Sequence, residues 1–144
     1  MCLIIEIHPY TNYENSIGSI SNVDGALFVS EVRNWRGKSK GKFTISNDGE
    51  GCCACNMLTD DADWDNKYWD INKDDLIALA LTVKKVFGLC PEGFKFAALW
   101  AGDKIEKTEL INMQDFIEII RSNKIENKTQ YKITSAEPAA SVDR

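Results

Sequence analysis

Residues 72–91 read NKDDLIALALTVKKVFGLCP, and this stretch decides the fold class. Leu76, Leu79, Ala80, Val83, Val86 and Phe87 recur at the three- and four-residue spacing of one helical face. Asn72 is placed to cap the first turn by accepting a backbone N–H near Asp75, and Asp74 and Asp75 suit the positive end of the helix dipole. Lys84 and Lys85 suit the opposite end, Gly88 reads as its closing residue, and Pro91 forbids continuation. The spacing predicts a helix over 73–87. Burial of its stripe contributes roughly 10 kcal/mol gross, at about 1.5–3 kcal/mol per large side chain.

Strands are expected on both sides of it. Residues 2–7 (CLIIEI) are almost wholly apolar and read as a central strand buried on both faces. Residues 25–33 (GALFVSEVR) and 42–46 (KFTIS) read as a hairpin, and the Asn47-Asp48-Gly49 turn leads into a further strand over 51–58 (GCCACNML). After the helix, residues 93–101 alternate, with Phe94, Phe96, Ala98 and Trp100 on one face. A weaker strand at 105–111 precedes a second helix, capped by Asn112 and striped by Met113, Phe116, Ile117 and Ile120; residues 130–134 form the last strand. Strands in antiparallel runs with helices that do not alternate strictly with them indicate an α+β fold. The expected form is a mainly antiparallel mixed sheet of six to seven strands with two helices packed on one face. Residues 1–134 are expected to form a single globular domain, with 135–144 (SAEPAASVDR) as a flexible tail.

At 144 residues, 44% hydrophobic and 27% charged, the chain has the composition of an ordinary globular protein. No apolar run approaches the roughly eighteen residues needed to cross a bilayer. No basic segment precedes the short apolar stretch at 2–7, which argues against a cleaved signal. Five cysteines, two of them adjacent, point to reduced thiols and a cytoplasmic location. An isoelectric point near 4.9 argues against direct nucleic-acid binding.

The net charge of −5 is concentrated. Residues 1–59 sum to −1, residues 60–75 to −5 and residues 76–144 to +1. The acidic segment, DDADWDNKYWDINKDD, also holds Trp64, Tyr68 and Trp69. Opposite charge gathers in RNWRGKSKGK, residues 33–42, where Gly37 and Gly41 mark a turn.

Four patterns bear on chemistry. Cys52 and Cys55 have C-x-x-C spacing, with Cys53 between them, as in zinc sites and thiol redox centres. No second pair accompanies them, and the aspartates that follow disfavour a thiolate, so small buried strand residues are the preferred reading. Asp61-x-Asp63-x-Asp65 resembles the opening of a calcium loop, but Asn66 stands where that loop needs Gly and Asn72 where it needs Glu. Gly37-Lys38-Ser39 ends like a phosphate loop, but Val32 occupies the position of the required first Gly. His8 is the one histidine, and pairing with a cysteine in space would be its route to nucleophilic chemistry.

No catalytic residue and no cofactor is assigned on these grounds. The leading expectation is a small binding or inhibitory protein, of the immunity or antagonist kind. It would engage a basic protein surface through Asp60, Asp61, Asp63, Trp64, Asp65, Tyr68 and Trp69. Arg33, Trp35, Arg36 and Lys38 form a secondary basic tip. The tip of one copy meeting the acidic loop of another would make a homodimer. The competing expectation is a metal- or thiol-dependent enzyme built on Cys52, Cys53, Cys55 and His8.

Overall fold

The computed structural model describes residues 2–10, 20, 23–48, 53–59 and 67–134. Six strands and two helices follow in the order β1 (Leu3–Pro9), β2 (Phe28–Arg33), β3 (Ser39–Ser46), α1 (Lys73–Leu89), β4 (Phe94–Trp100), β5 (Lys107–Asn112), α2 (Met113–Arg121) and β6 (Thr129–Thr134). They build one mixed sheet of order β2-β3-β1-β4-β6-β5, with the helices packed against it: an α+β fold.

All strand pairs are antiparallel except β5 with β6, which run parallel. The parallel pair follows from the element between them, since α2 starts at the residue after β5 and residues 122–128 return the chain to the same end. The pairings Ile5↔Ala98, Ile7↔Phe96, Ile5↔Ile45 and Phe96↔Tyr131 put one set of side chains on a shared, fully buried face. Phe116 of α2 meets this face, edge-on to the Phe96 ring at 4.9 Å and tilted against the Tyr131 ring at 5.1 Å. Leu79, Val83 and Val86 of α1 are completely buried, while Leu76 and Phe87 flank the stripe and are partly buried. Thr82, a residue the apolar pattern passes over, is buried too. Its hydroxyl accepts from the Leu27 amide at 2.8 Å and donates to the Ala78 carbonyl at 2.7 Å.

Both helix starts follow local chemistry. The Asn72 side chain accepts from the Asp75 amide and the Asn112 side chain from the Asp115 amide, at 3.0 and 2.8 Å. The end of α1 departs from expectation. Gly88 is an ordinary helical residue, and the helix runs to Leu89 before Cys90 and Pro91 stop it. Gly93 is required at the following turn: its φ is +108°, and an added Cβ would stand 2.1 Å from the Ile133 carbonyl oxygen.

Two further expectations are corrected. β1 is central, but only Leu3, Ile5 and Ile7 are fully buried; its other face holds half-buried Ile4, Glu6 and His8. The strand expected over 51–58 does not form in its described part. Residues 55–57 make a 3-10 turn, and Leu58 makes a single bridge to Ile71. Ala54 donates to the Leu3 carbonyl at 2.8 Å while the Leu3 amide donates to Cys55 Sγ at 3.2 Å, so this segment crosses the start of β1 instead of running along it. The tail at 135–144 lies outside the described residues.

Candidate functional site

The acidic segment is the principal candidate, and its described ends are held tightly. Thr59 donates its amide to the Asp70 carbonyl and its hydroxyl to Asp70 Oδ2, both at 2.9 Å. One residue further out, Leu58 bridges Ile71; then Asn72 donates its amide to Met57 at 2.8 Å. These bonds close a neck from which residues 60–66 leave and to which they return. The far side of residues 67–71 is also bonded. Trp69 donates to the Ile125 carbonyl and Asn127 to that of Lys67, at 2.9 and 2.8 Å. The Asn123 amide group reaches Asp70 Oδ1 and the Ile71 carbonyl at 3.2 and 3.1 Å. Asn123 holds φ +57°, a left-handed conformation that asparagine tolerates better than most residues.

Asp60, Asp61, Asp63, Trp64, Asp65 and Cys52 lie outside the described residues. The two remaining aromatic candidates are placed differently from expectation. Trp69 is a core residue, 3% exposed, and its indole N–H donates to the Ala98 carbonyl at 2.8 Å. It anchors the neck and offers no ring to a partner. Tyr68 is half-buried between two ammonium groups of its own chain, Lys67 Nζ at 5.3 Å and Lys124 Nζ at 4.8 Å from the ring. These three residues line a cleft of about 250 Å³ with Trp69, Asp70 and Asn123. Lys124 reaches this cleft from a distant turn, so the one-dimensional charge count does not reveal that two lysines flank the Tyr68 ring, with Asp70 in the same lining.

The basic tip is a well-built turn. Asn34 Oδ1 accepts from the amides of Arg36 and Lys38, at 2.9 and 3.0 Å, and Gly37 supplies φ +81°. Arg33 is tied to Glu31 and to the Gly37 carbonyl. Trp35 is 86% exposed, with the Arg36 guanidinium 4.5 Å above its ring. Lys38 is exposed beside it.

Around the cysteines, Cys2, Cys53 and Cys55 are half-buried thiols and Cys90 is buried. Burial raises the Cys53 pKa, but hydrogen bonding with Cys55, Cys2 and the Leu3 backbone brings it below its ordinary value. Cys2 is the member that spacing along the chain does not reveal. Among the described residues no three His, Cys, Asp or Glu side chains are arranged to hold a metal ion. His8 lies near the opposite end of β1 from Cys2. It stands 3.5 Å from Glu6, which also pairs with Lys42 at 3.2 Å.

No known protein family, curated protein or solved structure matches the chain.

Proposed function

We propose that this protein is a small protein-binding module, of the inhibitory or antagonist kind, that captures a basic partner with the acidic loop 60–66. The closed neck at Thr59 and Asp70 carries the reading, because a loop whose ends are already joined loses less entropy on docking than a free segment. Residues 60–66 contain four aspartates and Trp64, a combination suited to steering a cationic surface and then anchoring on it. An enzyme that binds nucleic acid offers such a surface. Reduced cysteines fit a cytoplasmic setting, and among the described residues no helix is long and apolar enough to cross a membrane.

The test is affinity capture from the cells that make the protein, using the wild type and the triple variant Asp61→Asn, Asp63→Asn, Asp65→Asn. A basic protein retained by the wild type, released by high salt and absent from the triple variant supports the reading. Equal capture by both proteins overturns it.

The exposed Trp35 favours a second reading, in which the basic tip of one copy docks on the acidic loop of another. Light scattering at low and high salt separates this from capture of a different protein: a dimeric mass that halves in high salt is its signature.

A further inference from the structure

We propose that the open face of the sheet binds single-stranded nucleic acid through a row of cationic side chains that crosses four strands. Leu3, Ile5, Ile7, Phe96 and Tyr131 point to the helix side and are buried. Alternate residues of the same strands point to the opposite face, where His8, Lys95 and Lys132 are only partly buried. The strand registers line these residues up. His8 stands opposite Lys95, and Lys95 opposite Lys132. One step beyond the Ile7↔Phe43 pair puts Lys42 of β3 beside His8. At the usual strand spacing the row from Lys42 to Lys132 measures about 14 Å.

The charge of this row is not balanced. Like charges directly opposite on a sheet repel, yet Lys95 and Lys132 are direct partners. Among the described residues neither lysine takes part in an ion pair. Glu6 is the one carboxylate among the described strand residues of this face, and it is already shared by His8 at 3.5 Å and Lys42 at 3.2 Å. A polyanion lying across the strands supplies the missing countercharge. The net charge of −5 conceals this surface, because residues 60–75 hold the acidic excess.

Two features select a nucleic-acid strand over other polyanions. A row that crosses four strands meets several phosphates of one chain in succession, which is how a sequence-independent backbone contact gains affinity. Trp35 lies in the turn that leads into β3, the strand carrying Lys42, and it is 86% exposed. The Arg36 guanidinium, 4.5 Å from its ring, adds positive charge there. Bases of any identity stack on such a ring. An acidic peptide matches the lysines, but a nucleotide strand also offers the indole a π-face at every step.

Fluorescence anisotropy of labelled oligo(U) and oligo(dT), titrated with the full chain, tests this. Binding should weaken as salt rises. Lys95→Gln and Lys132→Gln should each reduce the slope of log affinity against log salt by about 0.7. Trp35→Ala should weaken binding roughly tenfold and leave the slope unchanged. Lys124→Gln removes the same charge beside the Tyr68 ring and should bind as the wild type does. Both Lys95→Gln and Lys132→Gln relieve a repulsion, so their urea midpoints should equal or exceed that of the wild type. Failure to bind either oligonucleotide at about 50 mM salt overturns the proposal. So does equal weakening by Lys124→Gln, or wild-type affinity in Trp35→Ala, which would make the face a general polyanion surface. A dimer that the two lysine variants dissolve, with no oligonucleotide bound, would assign the face to a second copy and overturn it too. None of these measurements involves the acidic loop, so their outcome is separate from that of the capture experiment.

Discussion

Trp69 stands edge-on against Trp100, ring centroids 5.0 Å apart and planes inclined at 76°. The contact joins the acidic segment to the final residue of β4. It fixes residues 67–71 on the sheet. Replacing Trp69 by Phe keeps most of the buried area but removes the hydrogen bond to the Ala98 carbonyl and part of the ring. The expected cost is about 1–3 kcal/mol, and about 3–5 kcal/mol for Trp69→Ala. Urea denaturation measures both. Because Trp69 offers no surface to a partner, a folded Trp69→Phe protein should retain capture, whereas Trp64→Ala should lose it.

Helix α1 supplies a second ordered pair of outcomes. Leu79 is fully buried, so Leu79→Ala removes packed atoms and leaves a cavity, costing about 2–5 kcal/mol. Asn72→Ala removes the cap and also the bond from Asn72 Nδ2 to the Met57 carbonyl. Its cost is about 1–2 kcal/mol, smaller than the core deletion because the backbone Asn72–Met57 bond survives. The same denaturation series ranks them, and the reverse order would remove Leu79 from the core.

What sequence patterns reveal and conceal here has a physical division. Helix α1 was legible because its stripe, cap and proline all act within a few turns of one another. The strand expected over 51–58 failed because Cys and Ala carry little periodic signal, and the position of Ala54 is set by the Leu3 carbonyl. Trp69 reads as a surface residue among aspartates; its burial is decided by Trp100 and Ala98. The placing of Lys124 against the Tyr68 ring likewise depends on a pair far apart in the chain. The charge of residues 60–66 was legible at once, and so was the turn at Gly37; the part played in it by the Asn34 side chain was not, and Gly41, read as a second turn marker, lies within β3.

Acid should act first on the open side of β1. The hydrogen bond from His8, opposed by burial and assisted by Lys42, holds the Glu6 carboxyl below its ordinary value of 4.5. A carboxylate whose folded pKa is depressed contributes stability that is present above the unfolded value and lost as pH falls through the folded one. Glu6→Gln should therefore be less stable than the wild type near neutrality, and the difference should shrink below pH 4.5. Urea midpoints at both pH values check the sign. A gap that widens in acid would mean that Glu6 is not held as an ion.

Cys90 should be the inert thiol of the chain. Burial, with the Glu92 carboxylate nearby, pushes its pKa up to about 11. In native protein at neutral pH, a thiol-specific reagent should modify Cys53 first and leave Cys90 untouched until denaturant is added. Timed alkylation with peptide mapping reads this directly; early modification of Cys90 would show that the end of α1 opens.

The basic tip should be almost neutral for stability and decisive for association. Trp35 makes its ring contact with Arg36, not with the core, so Trp35→Ala should change unfolding free energy by no more than about 0.5 kcal/mol. Asn34→Ala should cost more, about 1 kcal/mol, because its side chain holds the Arg36 and Lys38 amides that shape the turn. If the tip docks on the acidic loop of a second copy, Trp35→Ala should abolish the salt-sensitive dimer that light scattering detects, and Asn34→Ala should weaken it by disordering the turn. A dimer untouched by Trp35→Ala would remove the tip from that interface, and a strongly destabilised Trp35→Ala protein would place the indole inside the fold rather than on it.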